Sequence, residues 1–274
     1  MAHTIGPHDV MVDLGNSRLK LGRFARAVAA AGLPAPHDVC VMPLSESMPL
    51  DLLAPWRERS AQCGARWVIA SVNTVKRDRL REWTGQNGRP EVVVIEDPRV
   101  LPLKVHLPEP QKVGIDRLMN AVAANVIRPE NRPAIVIDAG SAVTVDAVSA
   151  EGAFLGGAIL AGADLQARAL SQFTEKLPLL DVAALGREAP VLGTNTPAAM
   201  LAGLVWGGVG AVNELIDRLS DGLPAEPLVL LTGGGATLIA DRLRRPIRWV
   251  PHLTLQGICL AYHARARTGA SATG

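Results

Sequence analysis

Met11-Val-Asp13-Leu14-Gly15-Asn16-Ser17-Arg18-Leu19-Lys20-Leu-Gly22 decides the fold, because past its middle the chain says nearly the same thing again: Ile135-Val-Ile-Asp138-Ala-Gly140-Ser141-Ala-Val-Thr144-Val-Asp146. Each copy is an apolar run, then Asp-x-Gly, then a small polar residue, then alternating positions. That pattern predicts a strand, a tight turn and a second strand. The turn gathers backbone N–H groups, a small hydroxyl and an Asp at one point. Glycine lets a ligand approach the backbone closely, and successive turn amides form an anion-binding nest. Two such turns facing each other would grip a polyphosphate from both sides. The expectation is a two-lobed phosphate-transferring protein rather than a generic α/β domain.

Composition is consistent with that. The chain has 274 residues, 48% hydrophobic and 20% charged, enough for one large or two medium domains with a substantial core. A net charge of +2 gives no electrostatic case for nucleic acid or a membrane surface. Cys40, Cys63 and Cys259 lack metal-ligand or redox spacing, so all three are expected as small buried hydrophobes in a reducing compartment. Met1 to His8 does not read as a signal peptide, and no apolar stretch reads as the roughly 18 residues of a membrane span. A cytoplasmic location is expected. Ala27 to Gly32, alanine-rich, is expected at the surface.

Outward from the first hairpin, short strands are expected at Val10–Asp13, Leu19–Phe24 and Val39–Met42, with a helix over Leu50–Cys63. The run Arg66 to Val72 reads as a buried strand. It ends in Asn73-Thr74, a cap for a charged helix over Val75–Trp83. Glu91–Ile95 reads as another strand. Strands alternating with helices argue a layered α/β fold. Pro98, Pro102, Pro108 and Pro110 stiffen an extended loop from Asp97 to Lys112. Gly114-Ile115-Asp116-Arg117 follows, then a helix from Leu118 to Ile127. The lobe boundary is expected near residue 118, giving lobes of 1–118 and 119–274. Further helices are expected at Leu165–Phe173, from Pro197 to Leu219 after a Thr cap, and at Leu253–Ala266. The final Ala-Thr-Gly tail is expected to be disordered. Leu228–Thr232 running into Gly233-Gly234-Gly235 parallels Val68–Asn73, so the repeat extends beyond the hairpins.

Several residue sets can carry chemistry. Asp13, Gly15, Asn16, Ser17 and Lys20 form either a phosphate loop, with Lys20 near the phosphates, or an ordinary hairpin with a surface lysine. Gly140, Ser141 and Thr144 can donate to phosphate, whereas Asp138 suits a cation. For Asp116 two roles stay open: a first-turn helix carboxylate paired with Arg117, or a general base toward a substrate hydroxyl. In the second case Arg117 binds a substrate carboxylate or the moving phosphoryl group. Gly233 and Gly234 are candidates to lie under adenine or ribose. His106 and His252 are lone histidines. No Gly-x-Ser-x-Gly elbow and no Gly-x-x-x-x-Gly-Lys-Ser/Thr loop occurs in the sequence, which excludes a P-loop enzyme.

Taken in order, these motifs resemble the type III pantothenate kinases. The resemblance rests on the Asp13–Lys20 turn, Gly114-Ile-Asp-Arg117, Asp138-Ala-Gly-Ser-Ala-Val-Thr144, Gly156–Gly162, Gly193-Thr-Asn-Thr196 and Pro251–Gly257. It implies an α/β fold with two ribonuclease-H-like (actin-like ATPase) lobes and a central nucleotide cleft. It implies ATP-dependent phosphorylation of pantothenate, the first step of coenzyme A synthesis, by a homodimer that uses potassium or ammonium, with magnesium accompanying ATP. Neither nucleic acid nor membrane is an implied partner. Carried over by position, Asp116 is the catalytic base. Asp13, Leu14, Gly15, Asn16, Ser17, Arg18, Leu19, Lys20, Gly140, Ser141, Thr144, Gly233 and Gly234 bind ATP. Leu107, Gly114, Ile115, Asp116, Arg117 and Thr196 bind pantothenate, with Thr196 approaching from the partner subunit's side. Asp138 binds the monovalent cation. The chain departs from the family pattern at Leu107, where a tyrosine is common, at Ser141, where threonine is usual, and at Ala161, where proline is usual. Two alternatives remain: a kinase for another small hydroxylated substrate, and a nucleotide-binding regulatory protein without turnover.

Overall fold

The computed structural model describes residues 8–26, 32–44, 48–86 and 90–271. The expectations for Met1–His8, Ala27–Gly32 and the Ala-Thr-Gly tail therefore fall wholly or mostly outside the described residues. In chain order the elements are β1 (His8–Leu14), β2 (Arg18–Ala25), β3 (Asp38–Pro43), α1 (Ala54–Cys63), β4 (Arg66–Ser71), α2 (Thr74–Thr84), β5 (Glu91–Val94) and α3 (Ile115–Ile127). They continue as β6 (Ala134–Ala139), β7 (Ala142–Val148), β8 (Phe154–Ala161), α4 (Ala163–Phe173), α5 (Val182–Leu185), α6 (Thr196–Asp221), β9 (Leu228–Thr232), α7 (Ala236–Ile239), β10 (Arg248–Trp249) and α8 (Leu253–Ser271).

The repeat seen in the hairpins governs the topology. The first sheet has the order β3-β2-β1-β4-β5 and the second β10-β9-β6-β7-β8. Matching β6 to β1 makes the two orders the same. In each, the first strand pairs antiparallel with the second and parallel with the fourth. The chain divides into two compact units, residues 1–127 with 253–274, and residues 128–252.

In the first unit, side-chain alternation along β1 sends Val10, Val12 and Leu14 into a core with Trp67, Ile69, Leu53 and Leu80. Truncating a fully buried leucine such as Leu80 costs about 2–5 kcal/mol. Asp9, Met11 and Asp13 point to the other face, where α3 and α8 pack. The lobe boundary was expected near residue 118; in the compact units α3 lies whole within the first, and α8 belongs to it as well. Thr254 Oγ1 donates to Asn120 Oδ1 at 2.9 Å in the buried α3–α8 contact. Gly257 faces the Met119 backbone with no room for a side chain. Cys259, on the same helix, is buried; desolvation, with a smaller effect of the Asp9 charge, pushes its thiol up to about 12. Cys63 is exposed, against the expectation that all three thiols are buried.

In the second unit, Ile135, Ile137, Val229 and Leu231 pack against Val209, Val212 and Ile216 of α6. The N-cap of α6 is Asn195, whose Oδ1 accepts from Ala198 N, with Thr196 and Pro197 inside the first turn. By length and composition α6 could cross a membrane, which corrects the expectation that no stretch reaches that length. Its apolarity also serves the core of this unit, in which Met200, Leu201, Leu204 and Val205 are buried as well.

Candidate active site

The first hairpin turn is built from both sides of β1. Leu14 and Leu19 are opposite each other and fully buried, so they clamp the neck, and only their backbone can face a ligand. Gly15 N donates to Arg18 O at 3.0 Å, closing the loop Gly15-Asn16-Ser17-Arg18. Asp13, buried at 8% exposure, lies opposite Lys20, and the Lys20 Nζ sits 3.0 Å from its Oδ2. The lysine expected at the phosphates is thus paired with the carboxylate of its own hairpin.

The β4–α2 connection holds this turn from the side. Ser71 Oγ donates to Leu14 O at 2.9 Å, and Val72 N to the same oxygen at 3.3 Å. Asn73 caps α2 by accepting from Lys76 N at 3.0 Å, while its Nδ2 donates to Asn16 Oδ1 at 3.3 Å. Lys76 Nζ donates to Asn16 O at 2.9 Å. A cation in the first turn of a helix works against the helix dipole, and α2 has no acidic residue there to offset it. Sequence reasoning did not single out Lys76; the signal available was a lysine three residues after an Asn cap.

Asp116 lies in the first turn of α3, and Arg117 N donates to its Oδ1 at 2.8 Å. Gly114 makes this geometry possible. A Cβ there would lie 2.6 Å from Asp116 Oδ1 and 3.7 Å from Val72 Cγ1. The carboxylate therefore folds back over residue 114, beside Val72, the residue hydrogen-bonded to Leu14 at the first hairpin turn. Ile115 is buried and Leu107 is half-buried in the preceding loop.

In the second unit, the turn Gly140-Ser141-Ala142 is closed by Gly140 N donating to Ala142 O at 3.0 Å. Asp138 lies opposite Thr144 on β7 and opposite Thr232 on β9. Directly opposed residues share a sheet face, so a carboxylate is flanked by two hydroxyls. Thr144 Oγ1 is buried with no hydrogen-bond partner. Gly233 adopts φ +94°, and a Cβ there would lie 2.5 Å from both Ala139 O and Asp138 Oδ1. Gly235 N donates to Ala139 O at 2.7 Å. The glycine loop expected under a base thus also packs directly on the Asp138 turn. Thr196 is exposed at the start of α6, and no hydrogen bond among the described residues joins it to that turn.

The type III pantothenate kinase family model matches residues 10–218. A type III pantothenate kinase of Dehalococcoides mccartyi is 41% identical over 160 residues, 58% of this chain and 60% of that protein. One from Paramagnetospirillum magneticum is 39% identical over 202 residues, covering 73% and 75%. One from Moorella thermoacetica is 32% identical over 251 residues, covering 92% and 97%. The chain thus spans about 60% of the length of the first of these relatives and nearly all of the last. Among solved structures, the activator of the 2-hydroxyisocaproyl-CoA dehydratase from Clostridium difficile aligns with a TM-score of 0.53 at 15% identity, covering 97% of each chain. A glucokinase from an Antarctic psychrotroph aligns at 0.52 and 13% identity, covering 94% and 99%. MreB5 of Spiroplasma citri aligns at 0.51 and 12% identity, covering 95% and 96%. At such identities these three speak for the fold alone, that of actin-like ATPases and sugar kinases.

Proposed function

This chain belongs to the type III pantothenate kinase family, and on that premise we propose that it transfers the γ-phosphoryl group of ATP to the primary hydroxyl of pantothenate. The product is 4'-phosphopantothenate, and the reaction opens coenzyme A synthesis. The observation that carries the reading is the Asp116 carboxylate, folded over Gly114 beside the residue that braces the phosphate turn. Asp116 accepts the hydroxyl proton as oxygen attacks phosphorus, a role that contributes about 100-fold or more. Arg117 pairs with the pantothenate carboxylate, and Leu107 lines the substrate site with apolar surface. The Gly15–Arg18 and Gly140–Ala142 loops offer amides, and Ser17, Ser141 and Thr144 offer hydroxyls, to phosphate oxygens. Lys76 adds positive charge at the first turn. Gly233 and Gly234 leave backbone open to the nucleoside.

Magnesium enters with ATP as part of the substrate. Among the described residues no three His, Cys, Asp or Glu side chains gather as a metal site, which fits a divalent ion carried largely by phosphate oxygens. A monovalent cation belongs at Asp138. The carboxylate with its flanking Thr144 and Thr232 hydroxyls is an all-oxygen set of single charge, and the partnerless Thr144 Oγ1 supplies a lone pair. Potassium and ammonium suit it. The reading includes a cytoplasmic homodimer. Ala199, Gly203, Trp206, Gly207 and Gly210 form an exposed stripe on α6. A Cβ at each of these three glycines meets nothing within 4 Å, so a second copy can approach the helix closely, near Thr196.

The test is incubation of purified protein with ATP, magnesium and pantothenate, in potassium and in sodium, with mass detection of phosphopantothenate. Potassium-dependent product is the expected result. ATP binding without product in either buffer overturns the proposal.

A further inference from the structure

The opposite end of β1 carries a second collection of charge that nothing above uses. His8 opens the strand and Asp13 lies five residues on, about 17 Å away at strand rise. Around this end, His8, Arg23, His37, Asp38, Arg59 and Cys63 line an open pocket of about 260 Å³ with Val10 and Ala65 in its wall. The His8 and His37 rings meet edge to face, with centroids 4.4 Å apart. The Arg23 guanidinium lies over the Trp56 ring at 4.6 Å, so one arginine of the cavity is held in place before any ligand arrives. Asp38 lies opposite Arg23 across β2 and β3.

From this geometry we propose that the cavity binds a small anion bearing a phosphate or carboxylate group. Two arginines and two histidines line it, with Asp38 as the carboxylate among the lining residues. Arginine presents donors in a planar fork that matches such oxyanions. Stacking on Trp56 reduces the entropy lost when Arg23 engages one, and the apolar wall strengthens the attraction. Burial and the neighbouring Arg59 charge also lower the Arg23 pKa, against the opposing effects of Asp38 and Cys63. Because it lies at the far end of the strand, this site does not overlap the Asp13 turn and does not depend on the kinase reading.

The probe is inorganic phosphate, titrated into the full chain saturated with a non-hydrolysable ATP analogue, at constant ionic strength balanced with chloride. The readout is the His37 ring resonances, identified with a His37→Gln variant. The expected result is a saturable shift that Arg59→Ala weakens by tenfold or more. Arg59 is exposed, so its removal spares the core, and thermal unfolding checks this. Arg23→Lys, which keeps charge but loses the fork, is expected to weaken the shift several-fold, and Lys76→Met to leave it unchanged. A shift that is absent, non-saturable or equal in Arg59→Ala overturns the proposal. Failure of the analogue to bind would count against the kinase reading alone, because the His37 titration needs no turnover.

Discussion

The two hairpin turns have the same architecture and different neighbours. On β1, Asp13 is faced by Lys20 on one side and Ala70 on the other. On β6, Asp138 is faced by Thr144 and Thr232. The first carboxylate is neutralised by its own hairpin at 3.0 Å. That turn carries the Lys76 ammonium on Asn16 O, and the proposed reading gives it to the phosphates. The second carboxylate lies opposite two hydroxyls, which the proposed reading assigns to a cation. In the proposed reading, the residues opposite each Asp on the two adjacent strands set which ion that carboxylate serves.

The comparison can be broken in several ways. The largest expected effect is at Asp116, which sits with the first turn: Asp116→Asn should lower kcat by about 100-fold or more while ATP affinity stays near wild type. Near-wild-type turnover in steady-state kinetics would remove this carboxylate from the chemistry. Next, Asp138→Asn should abolish potassium stimulation, a loss of about 10-fold or more if a charged contact is worth 1.5–3 kcal/mol. Asp13→Asn should leave that stimulation in place. Loss of the potassium response in both variants would mean that the two turns do not divide their labour as described. Lys76→Met should raise the KM for ATP by about 5-fold, the size of a partly exposed charge contact near 1 kcal/mol, with kcat little changed. An unchanged KM would leave Lys76 a brace for Asn16 only.

The smallest effect concerns stability rather than the turns. Cys259 has a thiol raised from 9.0 to about 12 in the folded chain. The unfolded chain therefore releases this proton first as pH rises. The stabilisation is fully present below pH 9 and is lost progressively between about pH 9 and 12. The alkaline fall in Tm should be shallower in Cys259→Ala than in wild type, and parallel curves would discount the group. Over the same range Cys63, exposed, should react with a thiol reagent well before Cys259.

The hairpins, their order and the Asp-x-Gly turns were legible in the sequence because strand periodicity and turn chemistry are local. So was the Asn73 cap, three residues before Lys76. The partners that give each turn its character were not. Thr232 lies beside Asp138 only once β9 inserts next to β6, and Lys76 reaches Asn16 across sixty residues of chain. Neither spacing nor periodicity reports which strand edge a distant segment will take. For the same reason the packing of α3 was not legible: it reads as an ordinary amphipathic helix, and nothing local says that its partner is α8, more than a hundred residues on.

That last helix has a consequence for how the protein is made. The first unit lacks α8 until residues beyond 252 have been made, whereas the second unit is one continuous stretch, residues 128–252. Domains usually mature in the order of their synthesis. Here the later unit is complete first, and the earlier one waits with Met11 and the α3 surface uncovered. A chain broken off within α8 therefore leaves the surface of β1 and α3 without its cover while residues 128–252 are already continuous.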